Sequence, residues 1–164
     1  MLKNNVKRNI VILCVIVFVG FIFWNSSKPA EDSDGYSLKI AGMILKTFVS
    51  GYDKMLPIQQ EEMLTNVNNL VRSAAHITEF AVFGVLVTVL LHKLGQNRDS
   101  VITRHKIITA LAVCFLCALS DEIFQIFIDG RTFQLTDIAC DVFGAYAGIL
   151  CTSGIFHKVS RKKC

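Results

Sequence analysis

The chain has 164 residues, 52% of them hydrophobic, and a formal net charge of +4. It is more apolar than an ordinary soluble domain, where roughly 45–50% is usual even with glycine counted, and one domain is expected at this length. The positive charge does not point to nucleic acid, because the basic residues flank apolar blocks and fill the loop between two of them, as membrane topology produces.

The first apolar block covers residues 10–24 and follows Lys3, Lys7 and Arg8. It has the length of a signal-peptide core, but the following Asn25-Ser26-Ser27-Lys28-Pro29 is a poor cleavage site, so it reads as an uncleaved anchor helix over about 9–25. Flanking residues and a snorkelling Arg8 stretch it to membrane thickness. Residues 25–71 come next and are mixed in character. Stretches 38–50 and 55–71 carry helix-like apolar spacing and read as short amphipathic helices on the membrane surface or capping the bundle. Three further blocks, about 74–91, 107–128 and 135–156, are each near the roughly 20 residues that cross a ~30 Å hydrocarbon core. The fold class is therefore an all-α membrane bundle of four transmembrane helices. Two prolines and ten glycines leave no long linker, and no repeat of solenoid period is present. Of six cysteines, five lie inside apolar blocks and Cys164 is last; Cys114 and Cys117 lack the second pair that a zinc site needs. They read as small packing residues.

Lysine and arginine bias orients the bundle. The N-terminal arm, the 92–106 loop (Lys93, Arg98, Arg104 and Lys106 against Asp99) and the tail (Lys158, Arg161, Lys162, Lys163) fall on one side. Both termini are then expected in the cytoplasm, with the acid-bearing 25–71 segment outside.

Ionisable groups inside spans cost about 2.5–3.5 kcal/mol each at a helix centre, and here they are grouped. Arg72, His76 and Glu79 are spaced i, i+4, i+7 on the second span. On the third, Asp121 and Glu122 precede Gln125, and Arg131 follows in the connection. On the fourth, Asp137, Asp141, Gly144 and Gly148 form one stripe, the two glycines making a small-x-x-x-small motif for close helix approach. With a rise of 1.5 Å per residue, Glu79 lies roughly 7 Å and Glu122 and Asp141 roughly 9 Å below the outer helix ends. Acids from three helices thus converge at one depth. Each has a plainer reading: His76 as a hydrogen-bonded structural residue, Asp137 complementing a helix start, and Arg72 and Arg131 neutralising the acids. The convergence exceeds what packing requires, and intramembrane ionisable groups are functional candidates by default.

Three blocks of the chain resemble the VanZ-like family of bacterial membrane proteins. They are Ser26-Ser27-Lys28-Pro29-Ala30-Glu31-Asp32-Ser33 with Ser37; Arg72-Ser73-Ala74-Ala75-His76-Ile77-Thr78-Glu79-Phe80 with Gly84; and Ser120-Asp121-Glu122, Gln125, Gly130-Arg131, Asp137, Asp141, Gly144 and Gly148. Phe80 stands where many relatives have tyrosine, and Ser73 where a basic residue is common. The resemblance implies one VanZ-like domain over residues 1–164 in the bacterial cytoplasmic membrane. Its founding member is associated with resistance to the glycopeptide teicoplanin.

Two functions fit these residues. In the first, an outer-facing polar site binds a lipid headgroup, a cell-wall precursor or an amphiphilic antibiotic. Arg72, Arg131 and Gln125 are its ligand-binding residues, the arginines for phosphate and the acids for amines or sugar hydroxyls. In the second, His76, Glu79, Asp121, Glu122, Asp137 and Asp141 are catalytic residues of a membrane-embedded hydrolase or transferase acting on a lipid-linked substrate. A divalent metal held by oxygen ligands could activate water there, or His76 could act as a general base without one. No Gly-x-Ser-x-Gly motif is present for covalent serine catalysis. Proton-coupled transport fits less well, because the charges stop at mid-membrane.

Overall fold

A computed structural model describes residues 2–95 and 105–161. Among these residues the chain forms five α-helices and no strand: α1 (Leu2–Ser26), α2 (Ala30–Phe48), α3 (Pro57–Leu94), α4 (Lys106–Gln125) and α5 (Leu135–Arg161). Four of them, α1, α3, α4 and α5, are long and apolar enough to cross a membrane. Arg98, Asp99, Arg104, Lys162, Lys163 and Cys164, which bear on the expected orientation and cysteine reading, lie outside the described residues.

The core is a set of helical stripes. Phe80, Phe83, Val87 and Leu91 of α3 meet Ala110, Cys114 and Ala118 of α4, Ala145 and Ile149 of α5, and Ile22 of α1. Spacings of three and four residues keep each set on one face. The closest pair is α3 with α5. Gly84 faces the Ala145 backbone, Gly144 that of Ile77 and Gly148 that of Ala81, so any side chain at these glycines would meet main chain. This is the close approach that small residues permit between membrane helices. α1 meets the core through Val15, Phe18, Val19 and Ile22 and leaves Leu13, Ile16, Val17 and Phe21 exposed, as a lipid-facing helix does. The described cysteines are free, and Cys114 is a buried core residue.

Several boundaries differ from the expected ones, among them α1 starting at Leu2 and α5 ending at Arg161, and three bear on the polar end of the bundle. The amphipathic stretch 55–71 is the first half of α3, not a separate helix. Pro57 occupies the first turn, where its missing N–H costs nothing, and Gln59 Oε1 accepts from the Leu56 N–H at 3.3 Å. Nothing breaks the helix before Leu94, so α3 has 38 residues and extends roughly 57 Å, about twice the hydrocarbon thickness. α2 begins at Ala30, eight residues before the expected start, because Glu31 and Asp32 complement its N-terminus. Its Ser37, Ala41 and Leu45 are buried. Between α2 and α3, Tyr52 donates to the Gln60 carbonyl at 3.2 Å while Gln60 Nε2 donates to the Tyr52 carbonyl at 3.0 Å. Lastly, α4 ends at Gln125 and not at 128. Turns closed by Phe127 N to Phe124 O and Ile128 N to Gln125 O lead to Gly130, whose φ of 74° suits glycine. Apolar Ile126 and Phe127 prolong the hydrophobic run but are exposed, which periodicity alone could not separate from helix.

Candidate functional site

The same stripes that form the core turn polar at one end of the bundle. On α4, Ala110, Cys114 and Ala118 are followed on the same face by Asp121, Glu122 and Gln125, all buried. On α5, Asp137 and Asp141 precede Ala145 and Ile149 in the same way. On α3, Phe80 and Phe83 are preceded by Arg72, His76 and Glu79. Three helices, α4 and α5 near their ends and α3 near its middle, therefore bring polar groups together, and each carries its side chains inward because the packing behind it sets the helix rotation.

The groups sort into linked sets. His76 lies between two carboxylates of α5 one turn apart: Nδ1 is 3.0 Å from Asp141 Oδ1 and Nε2 is 3.6 Å from Asp137 Oδ2. A second set runs through α1 and α4. Ser26 Oγ donates to Asp121 Oδ2 at 2.7 Å, and Gln125 Nε2 donates to the same oxygen at 3.0 Å and to Ser26 Oγ at 3.3 Å. Arg131 Nη1 donates to Gln125 Oε1 at 3.1 Å, and its Nε donates to the Lys28 carbonyl at 3.2 Å. The Arg131 guanidinium is thus held at two points, by Gln125, which leads back to the buried Asp121 carboxylate, and by the Lys28 carbonyl. Burial pushes its pKa down from the ordinary arginine value, and the nearby Arg72 charge adds to the fall. It remains a cation, since arginine does not lose its proton in proteins.

Glu122 has a different role. Its Oε2 accepts the Gln134 N–H at 2.8 Å, capping the start of α5 from the neighbouring helix. Arg72 Nη1 pairs with Asp34 Oδ1 of α2 at 3.0 Å, and the Ala30 N–H donates to the Asp129 carbonyl at 3.2 Å. These two links hold α2 over the polar end.

A cavity of about 350 Å³ opens among these groups. Its wall includes Asn25, Lys28, Arg72, His76, Glu79 and Arg131, together with Tyr36 and Ile40 of α2. A smaller cavity of about 70 Å³ adjoins it and shares Ser33, Arg72 and Arg131. Of the nine site residues read from the sequence, Arg72, His76, Glu79 and Arg131 line the larger cavity and Gln125 lines the smaller one. Asp121, Glu122, Asp137 and Asp141 sit behind as supports. Several carboxylates keep one buried oxygen without a hydrogen-bond partner: Glu79 Oε1, Asp121 Oδ1, Glu122 Oε1 and Asp141 Oδ2. Among the described residues, no three His, Cys, Asp or Glu groups are placed to hold a metal ion. The oxygen-rich ligand set expected for a divalent metal is not assembled there.

Reading residues along the chain missed the contributions of Asn25, Ser26, Lys28 and Asp34. A signal for Ser26 was present: it follows Ile22 by four residues, which continues the buried face of α1. Asp34 carried no such signal, because only tertiary packing brings α2 against Arg72.

A protein-family model described as VanZ/LLP1 matches residues 11–157, most of the chain. No curated protein matches it, and no solved structure does.

Proposed function

Because the chain belongs to the VanZ/LLP1 family, we propose that it is a cell-envelope membrane protein whose polar cavity binds the headgroup of an amphiphile. The amphiphile is a membrane lipid, a lipid-linked cell-wall precursor or an amphiphilic antibiotic, and a contribution to teicoplanin resistance belongs to the same proposal. The observation that carries it is the cavity wall, where Lys28, Arg72 and Arg131 stand together with His76 and Glu79. Guanidinium groups give charge-assisted, geometrically specific contacts to phosphate or carboxylate. At about 350 Å³ the cavity is at the low end of ligand pockets, roughly 300–1,000 Å³, which suits a headgroup and leaves acyl chains in the bilayer. The lysine and arginine bias supports placing this end at the outer face of the bacterial cytoplasmic membrane, with both termini inside.

Binding is tested with the purified full chain in detergent, titrated with short-chain phosphatidylglycerol and followed by native mass spectrometry. Arg131→Gln is expected to weaken binding about tenfold, the size of a lost charged hydrogen bond. Equal binding by variant and parent refutes the reading. Orientation is tested with a membrane-impermeant thiol reagent and Asp32→Cys in a cysteine-free background; failure to label intact cells while lysed cells label reverses it.

One observation favours the second reading, a lipid-directed hydrolase or transferase. Asp141 holds Nδ1 of His76, and Nε2 is beyond hydrogen-bond length from Asp137, so that nitrogen is placed to accept a proton. Release of a soluble headgroup from labelled lipid by the parent, and none by His76→Ala at equal protein level, distinguishes turnover from binding.

A further inference from the structure

We propose that the cavity selects a headgroup carrying both an anionic group and a primary ammonium, with Glu79 as the residue that recognises the ammonium. The inference rests on the binding reading above and narrows its ligand class.

Arg72 and Glu79 lie in the wall of one cavity and are seven residues apart on α3, roughly 10 Å of helix rise. A cationic end and a carboxylate end therefore face the same space. Glu79 Oε1 is buried and has no hydrogen-bond partner. A carboxylate oxygen left without a donor costs free energy, so such groups usually have one.

The basic side chains that the protein itself places around the cavity each have another partner. His76 is held by Asp141, Arg72 by Asp34, and Arg131 by Gln125 and the Lys28 carbonyl. Lys28 donates to Asn25 Oδ1 at 3.2 Å and lies 4.4 Å from the centre of the Trp24 ring. None of these contacts reaches Glu79 Oε1, which leaves that oxygen for a donor carried by the ligand. Charge balance decides which kind. The cavity wall sets Lys28, Arg72 and Arg131 beside one carboxylate, Glu79, so a purely anionic ligand pairs with the cations and leaves Glu79 without an opposite charge. A zwitterion leaves the balance unchanged and gives both ends of the cavity an opposite charge. An ammonium also makes a stronger bond to a carboxylate than a neutral hydroxyl does. A quaternary ammonium has no N–H to donate, so the site distinguishes it from a primary one.

The test uses the full-length protein in detergent and short-chain phosphatidylethanolamine, phosphatidylcholine and phosphatidylglycerol, with dissociation constants from native mass spectrometry. Phosphatidylethanolamine is expected to bind about tenfold more tightly than either of the others. Glu79→Gln is expected to weaken phosphatidylethanolamine binding about tenfold more than phosphatidylglycerol binding, and so to remove that advantage. If the parent binds all three equally, the inference is overturned while the binding reading stands, and this arm needs no variant to fold. An equal loss for every lipid in Glu79→Gln also overturns it, by showing that Glu79 supports the cavity and does not select. If no lipid binds the parent, the proposed function falls and this inference with it.

Discussion

Gly144 of α5 lies against the Ile77 carbonyl of α3, so that a Cβ on Gly144 would overlap that oxygen. Gly144 is one turn beyond Asp141, and Ile77 is the residue after His76. The backbone contact that closes the two helices therefore also sets the His76–Asp141 distance of 3.0 Å. Gly148 repeats the contact one turn on, against the Ala81 carbonyl.

Alanine at either glycine must push the two helices apart. Gly144→Ala and Gly148→Ala are each expected to destabilise by about 1–3 kcal/mol, the usual cost of overpacking. Thermal unfolding in detergent measures this. Gly35→Ala, where no atom lies within 4 Å of an added Cβ, should instead leave the midpoint unchanged or raise it, because alanine is the better helix former. Equal loss at all three positions would remove the special role of the α3–α5 contact.

His76 and Asp141 should behave as a coupled pair. Asp141 is fully buried, and removing His76 leaves its carboxylate without its only described hydrogen bond. A double-mutant cycle with His76→Ala and Asp141→Ala, read by chemical unfolding, is expected to give a coupling of about 1.5–3 kcal/mol, as for hydrogen bonds to charged groups. Additive effects within about 0.5 kcal/mol would mean that the pair does not act as a unit.

Glu122 is assigned to the cap of α5 and should matter to that helix more than to ligand. Glu122→Ala leaves the Gln134 N–H without its acceptor, and about 1–3 kcal/mol of local stability should be lost. Hydrogen exchange should accelerate at residues 134–138 and much less in α3. Glu122→Gln keeps an acceptor oxygen and should restore most of the protection. A large change in headgroup affinity with normal exchange would return Glu122 to the binding site.

Arg72 and Asp34 are both partly exposed, at 27% and 37% of their side chains. Ion pairs of that kind stabilise by about 0–1 kcal/mol, so Asp34→Asn should barely move the unfolding midpoint. It should, however, release Arg72 from its competing carboxylate and tighten anionic headgroup binding severalfold. Arg72→Gln should weaken the same binding about tenfold at similar stability. Titration of the two variants side by side gives opposite signs if Arg72 meets the ligand, and the same sign if the pair only fastens α2.

The amino-acid sequence by itself determined the helical class, the number of spans and the level at which charges gather. Its apolar runs are long enough that only helices could satisfy their backbone in a bilayer, and helical spacing places Arg72, His76 and Glu79 on one face, and Asp137 and Asp141 on another. The α3–α5 contact was also foreshadowed, because Gly144 and Gly148 recur at the interval of one turn. Tertiary structure decided which of these groups meet the cavity and which stand behind it. That sorting depends on how each helix is rotated by its core stripe, on α3 continuing unbroken from Pro57, and on α2 folding back so that Asp34 reaches Arg72. Those relations join residues far apart in the chain, through contacts whose partners no local spacing can name.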